Sequence, residues 1–192
     1  MRPATPLLLA ALALTASSPI AFATTMRHLD TRSLTLGSSE IVVGAVESTK
    51  SRWSADRKKI FTDVEIRVAE SLKGSGGGSG ERLTLTQLGG EIDGVRYSIP
   101  GGPLFRRGEE ALVFVWRDAK GAAQVNGLAQ GKFDITRDAK GAATVQRSAP
   151  GFGVKDARRL SALKAREVAP RITLDDLKRE IRQVLAHPEA GR

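Results

Sequence analysis

Apolar and polar residues alternate with a period of two through much of the chain, the pattern of strands with one face in a core and one in water. The alternation is clearest over residues 60–72, where Ile60, Thr62, Val64, Ile66, Val68 and Leu72 share one face and Asp63, Glu65, Arg67 and Ser71 the other. At about 3.3 Å per residue this run is over twice the usual strand length, which predicts a strand that bends or coils around a barrel. Residues 41–46 form a β-branched run preceded by Gly37-Ser38-Ser39, and Val95, Tyr97 and Ile99 alternate between Gly89-Gly90 and Pro100-Gly101-Gly102-Pro103. Residues 111–116 are apolar throughout, which predicts a strand covered on both faces, with Phe114 and Trp116 in the core. Further strands are expected over residues 83–86, 124–126, 132–136 and 144–146.

The period changes after Pro150. Residues 173–186 carry Leu174, Leu177, Ile181, Val184 and Leu185 on one helical stripe, Thr173 and Asp176 form a capping box, and His187-Pro188 ends the helix. His187 reads as a cation at the helix C-terminus. Residues 155–168 are basic and read as a frayed helix or a tether.

Two stretches tempt a functional reading and have simpler ones. Residues 73–80 are glycine-rich, but they lack the GxGxxG spacing and a strand follows where a phosphate site needs a helix N-terminus, so a hairpin loop is expected. The heptapeptide Arg117-Asp118-Ala119-Lys120-Gly121-Ala122-Ala123 recurs as Arg137-Asp138-Ala139-Lys140-Gly141-Ala142-Ala143. Each copy follows a strand, and Asp with Gly three residues on suits a tight turn with glycine at positive φ, so the copies are two hairpin tips.

Composition narrows the chemistry. The 192 residues include no cysteine and only two histidines, His28 and His187. That leaves no thiolate site and little for a histidine metal centre or triad, so no cofactor or metal is expected. Residues 1–23 read as a signal peptide, with Arg2, an apolar run over residues 7–16 and Ala21-Phe22-Ala23 at the cleavage site. Cleavage removes one charged residue, so most of the formal +9 stays with the exported protein. Such a charge favours anionic partners, and export argues against intracellular nucleic acid as the ligand. No further long apolar segment follows, so the protein is expected not to span a membrane and to be periplasmic or extracellular.

The order of Glu40-Ile41-Val42-Val43-Gly44-Ala45-Val46, a basic loop, a long strand ending Leu72-Lys73-Gly74 and a Gly-Gly hairpin resembles the opening strands of netrin-like modules, the OB-type barrels that include the tissue metalloprotease inhibitors. Residues 39–147 also resemble an uncharacterised group of secreted bacterial proteins, through Gln87-Leu88-Gly89-Gly90, the Pro-Gly-Gly-Pro turn before Phe105, Gly108-Glu109-Glu110 and Gly127-Leu128-Ala129-Gln130-Gly131-Lys132-Phe133. The resemblance implies a fold and leaves function open. The animal inhibitors chelate zinc through an N-terminal cysteine; cleavage here exposes Thr24, so that mechanism does not carry over.

The expected architecture is mainly β: an antiparallel OB-like or netrin-like barrel, or a coiled sheet, over residues 39–147, with a lead-in at 24–38, a basic linker at 148–170 and a C-terminal helix at 171–188. Lys50, Arg52, Arg57, Lys58 and Lys59 surround Trp53 between the first two strands, with Asp56 the only acid. In OB-type barrels the first loop helps form the binding face, and cations beside an indole hold polyanions or glycans. The plainer alternative is a solvated loop whose tryptophan folds back on the barrel. Asp63 and Glu65 are the best carboxylate pair for acid–base work, but beside Arg67 they read as a surface ladder. The expected function is therefore non-catalytic binding of an anionic envelope polymer or an envelope partner protein, with inhibition of a secreted protease as the alternative.

Overall fold

A computed structural model describes residues 28–74, 78–148 and 172–189. The expected signal peptide and all but the first residue of the expected basic linker lie outside these residues.

The chain is mainly β, with a closed five-stranded barrel and a C-terminal helix. After a short helix α1 (Thr31–Gly37) come β1 (Glu40–Trp53), β2 (Ile60–Lys73), β3 (Arg82–Leu88), a small hairpin of β4 (Gly90–Ile92) and β5 (Val95–Tyr97), then β6 (Glu110–Arg117) and β7 (Ala123–Val125). β8 (Lys132–Arg137), β9 (Ala143–Arg147), β10 (Ile172–Thr173) and helix α2 (Leu174–Ala186) complete it. The barrel closes in the order β1-β2-β3-β7-β6 and back to β1, and β8, β9 and β10 extend the sheet outward from β6. This is the strand order of an OB-type Greek key, a topology that identifies no family.

The expected barrel is present, and it is mixed rather than purely antiparallel, because β3 meets β7 in parallel at Leu85 and Ala123. An odd number of strands cannot alternate direction all the way round a closed ring, so one neighbouring pair must be parallel. The coiling expected of the long strand is present in both β1 and β2, each 14 residues long. Their register slips between Ile41 and Val42, Val43 and Gly44, and Val46 and Ser48. Such bulges sharpen twist and bend a strand around a small barrel. Gly44 sits at one of them, where an added Cβ would lie 2.4 Å from the Arg67 carbonyl oxygen, so no side chain fits between the strands.

The pleat of β1 and β6 serves two cores. Val42 and Val46 of β1 with Ala111, Val113 and Val115 of β6 fill the barrel, against Val64, Ile66, Leu83 and Leu85. The alternate residues Ile41, Val43, Leu112 and Phe114 face outward under the helices, packing with Leu34, Phe133, Val145, Leu174, Leu177 and Ile181. Phe114 is fully buried as expected, whereas Trp116 is 38% exposed. It shares the outer face with Leu112 and Phe114 but is not part of the cluster the helices cover, so its expected core position is corrected.

Local chemistry fixes the ends of the elements. Thr173 caps α2, accepting the Asp176 amide at 3.0 Å and donating its hydroxyl to the Asp176 carboxylate at 2.6 Å. Lys178 and Arg182 of α2 both pair with Glu70 of β2, at 2.5 and 2.9 Å. Lys73 Nζ donates to the carbonyls of Thr35 and Ser38 at 2.8 and 2.5 Å, which satisfies the free end of α1 and ties it to β2. Both copies of the repeat are the expected turns. Asp118 Oδ1 accepts the Lys120 and Ala122 amides, Asp138 Oδ1 those of Lys140 and Ala142, and Gly121 and Gly141 sit at φ 82° and 84°.

Candidate functional site

The cationic cluster is divided between the end of β1 and the turn that follows it. β1 and β2 stay paired to their ends, so that Lys50 faces Asp63, Arg52 faces Phe61 and Trp53 faces Ile60, while β3 holds the other edge of β2 from Phe61 to Arg67. Lys50, Arg52 and Trp53 are therefore strand residues, and only Arg57, Lys58 and Lys59 lie in the connecting turn. That turn is built from its own side chains: the Ser54 hydroxyl donates to Asp56 Oδ1 at 2.6 Å, and the amides of Lys58 and Lys59 donate to Asp56 Oδ1 and Ser54 Oγ. The Ser54 hydroxyl and the Lys58 amide hold the Asp56 carboxyl below its ordinary range.

The five cations divide into two sets. Arg52 pairs with Asp63 at 2.6 Å and lies 5.4 Å from the Phe61 ring centroid. Arg57 lies 5.4 Å from the Trp53 ring centroid and 4.0 Å from Asp93. Lys50, Lys58 and Lys59 are exposed, and none of their ammonium groups meets a carboxylate among the described residues. The arginines are thus engaged in building the tip, and the lysines present its charge.

Trp53 is half-buried, and its indole Nε1 donates to Asp93 Oδ2 at 3.0 Å. Asp93 stands at the tip of the β4–β5 hairpin, so the indole clips two hairpin tips together. Asp93 and Arg57 both hold left-handed backbone, φ 53° and 54°, a conformation that costs a non-glycine residue about 1 kcal/mol or more. The two strained residues face each other across the clip. Sequence reasoning passed over Asp93, although Ile92-Asp93-Gly94-Val95 carries the Asp-Gly turn signal between apolar residues.

Asp63 and Glu65 do not converge. Asp63 binds Arg52 and accepts the Thr86 hydroxyl at 2.9 Å, while Glu65 accepts from Ser48 at 2.8 Å. Burial alone would raise the Asp63 pKa, but the hydrogen bonds from Arg52 and Thr86 outweigh it and hold the carboxyl below its ordinary value. Arg67 turns to Glu47, which also pairs with Arg82 at 2.7 Å. The outer face of β1, β2 and β3 is thus a laced charge ladder.

One buried charge escaped the sequence. Lys132 is 1% exposed, paired with Glu109 at 2.7 Å and Asp134 at 2.5 Å, with its Nζ 4.8 Å from the Phe105 ring centroid. Ser148 donates to the same Asp134 oxygen at 2.7 Å, so a network of buried charge joins β8 to the start of β6.

No protein-family model matches the chain, and no curated protein matches its sequence.

Proposed function

We propose that this chain is an exported, non-catalytic binding module whose β1–β2 tip contacts an anionic envelope polymer or the acidic surface of an envelope partner protein. The observation that carries the reading is the division of the cations at that tip, with Lys50, Lys58 and Lys59 exposed and without a carboxylate partner among the described residues, beside arginines already engaged by Asp63, Trp53 and Asp93. A tip clipped to its neighbour loses less freedom on binding, so more of the charge attraction appears as affinity. The formal charge of +9 adds long-range attraction, and the first connection of OB-type barrels commonly helps form their binding face, which supports the reading.

Retention on a dextran sulfate matrix tests the proposal. Lys58→Ser with Lys59→Ser should elute at clearly lower salt than the parent. Lys120→Ser with Lys140→Ser removes equal charge from the exposed repeat turns and should elute close to the parent. Equal losses from the two pairs would overturn the site and leave net charge as the whole effect.

A further inference from the structure

A groove of about 410 Å³ lies between the β4–β5 hairpin, the chain at residues 98–105 and the ends of β1, β2 and β3. That volume falls within the ~300–1,000 Å³ common for small organic ligands. Leu88, Tyr97 and Leu104 line it and are 38%, 37% and 55% exposed. Half of the large apolar side chains that the described residues leave in water thus gather at this one place, a concentration that marks binding surfaces.

Two polar features restrict what the groove takes. Gln87 also lines it, and its Nε2 is buried with no hydrogen-bond partner. Such a donor has lost its water without compensation, and an acceptor oxygen on a ligand would supply the missing bond. The charges in the wall, Glu91 and Arg96, cancel in a 2.6 Å pair. Arg106 and Arg107 follow directly in the chain on Phe105, which lines the groove; both are exposed and have no carboxylate partner among the described residues. The nearby acids are taken, Glu109 by Lys132 and Glu110 by Arg137.

We infer that this groove binds an anionic amphiphile, with its apolar chain against Leu88, Tyr97 and Leu104, an acceptor oxygen on Gln87 Nε2 and its negative charge toward Arg106 and Arg107. A free long-chain acid and an anionic acyl lipid share this chemistry. The site is separate from the lysine tip and does not depend on the function proposed for it.

Calorimetric titration of the full mature chain with dodecanoate below its micelle concentration, and binding to phosphatidylglycerol vesicles, test the inference. One saturable site per chain for dodecanoate is the expected result for a free acid, and vesicle binding without dodecanoate uptake assigns a membrane lipid. Gln87→Leu should weaken whichever ligand binds by roughly three- to tenfold, the worth of one hydrogen bond, while melting no lower than the parent. Leu104→Ser, at an exposed position, should weaken binding with the melting temperature held, which keeps the test valid if Gln87→Leu misfolds. Arg106→Ser with Arg107→Ser should lower dodecanoate affinity to that of dodecanol. Absence of both kinds of binding, equal affinity of the parent for dodecanol and dodecanoate, or variants that bind like the parent would overturn the inference.

Discussion

Asp93 joins the β1–β2 tip to the neighbouring hairpin through the Trp53 indole, 3.0 Å away, in a backbone conformation that few residues accept. Asp93→Ala removes the acceptor and should cost about 0.5–1.5 kcal/mol, toward the lower end because the bond is exposed; urea unfolding followed by tryptophan emission measures it. Gly44→Ala should cost more, about 1–3 kcal/mol, because its Cβ would press on the Arg67 carbonyl and the Ile66 side chain, which only a backbone shift relieves. Asp63 gives a pH dependence of definite sign. Its carboxyl is held below the ordinary value of 3.8, so its contribution to stability is complete above that pH and is lost as pH falls through the lower folded value. In Asp63→Asn the melting temperature should fall less steeply below pH 4 than in the parent, and identical acid limbs would show that Arg52 and Thr86 do not stabilise the charge. At this scale the sequence identified the cations but not their division, because Asp63 and Asp93 reach Arg52 and Trp53 only through strand pairing and hairpin docking.

Helix α2 buries Leu174, Leu177 and Ile181 against β9, β2 and α1. Leu177→Ala should therefore cost about 2–5 kcal/mol, as for other buried leucines, and deletion of residues 171–192 should lower the melting temperature further. An unchanged transition on deletion would mean the helix is not part of the fold. Thr173→Ala should cost about 1 kcal/mol through the lost cap. The helix was legible because its cap, stripe and stop all agree, and the two repeat turns were legible because Asp and Gly specify them locally. Helix α1 was not, since seven residues with two buried positions are too few to display a period. Nor was the continuation of β1 to Trp53, because residues 47–52 are all polar and show no alternation.

The whole molecule rests on a strand pair, β1 and β6, whose two faces serve separate cores, and the continuous apolar run of residues 111–115 is the sequence trace of that role. Barrel formation was legible in strand length and turn placement. The parallel closure was not, because it is a property of the ring and rests on the single pairing of Leu85 with Ala123. The proposed function rests on where charge is left unpaired once the fold has formed, and hydrogen exchange with and without a sulfated oligosaccharide tests that most directly. Slowed exchange is expected over residues 50–59 and at the adjoining tip around Asp93, with none at the exposed turns of residues 118–122 and 138–142. Protection spread evenly over every basic surface, or confined to the basic segment at residues 155–168, would contradict the proposed function.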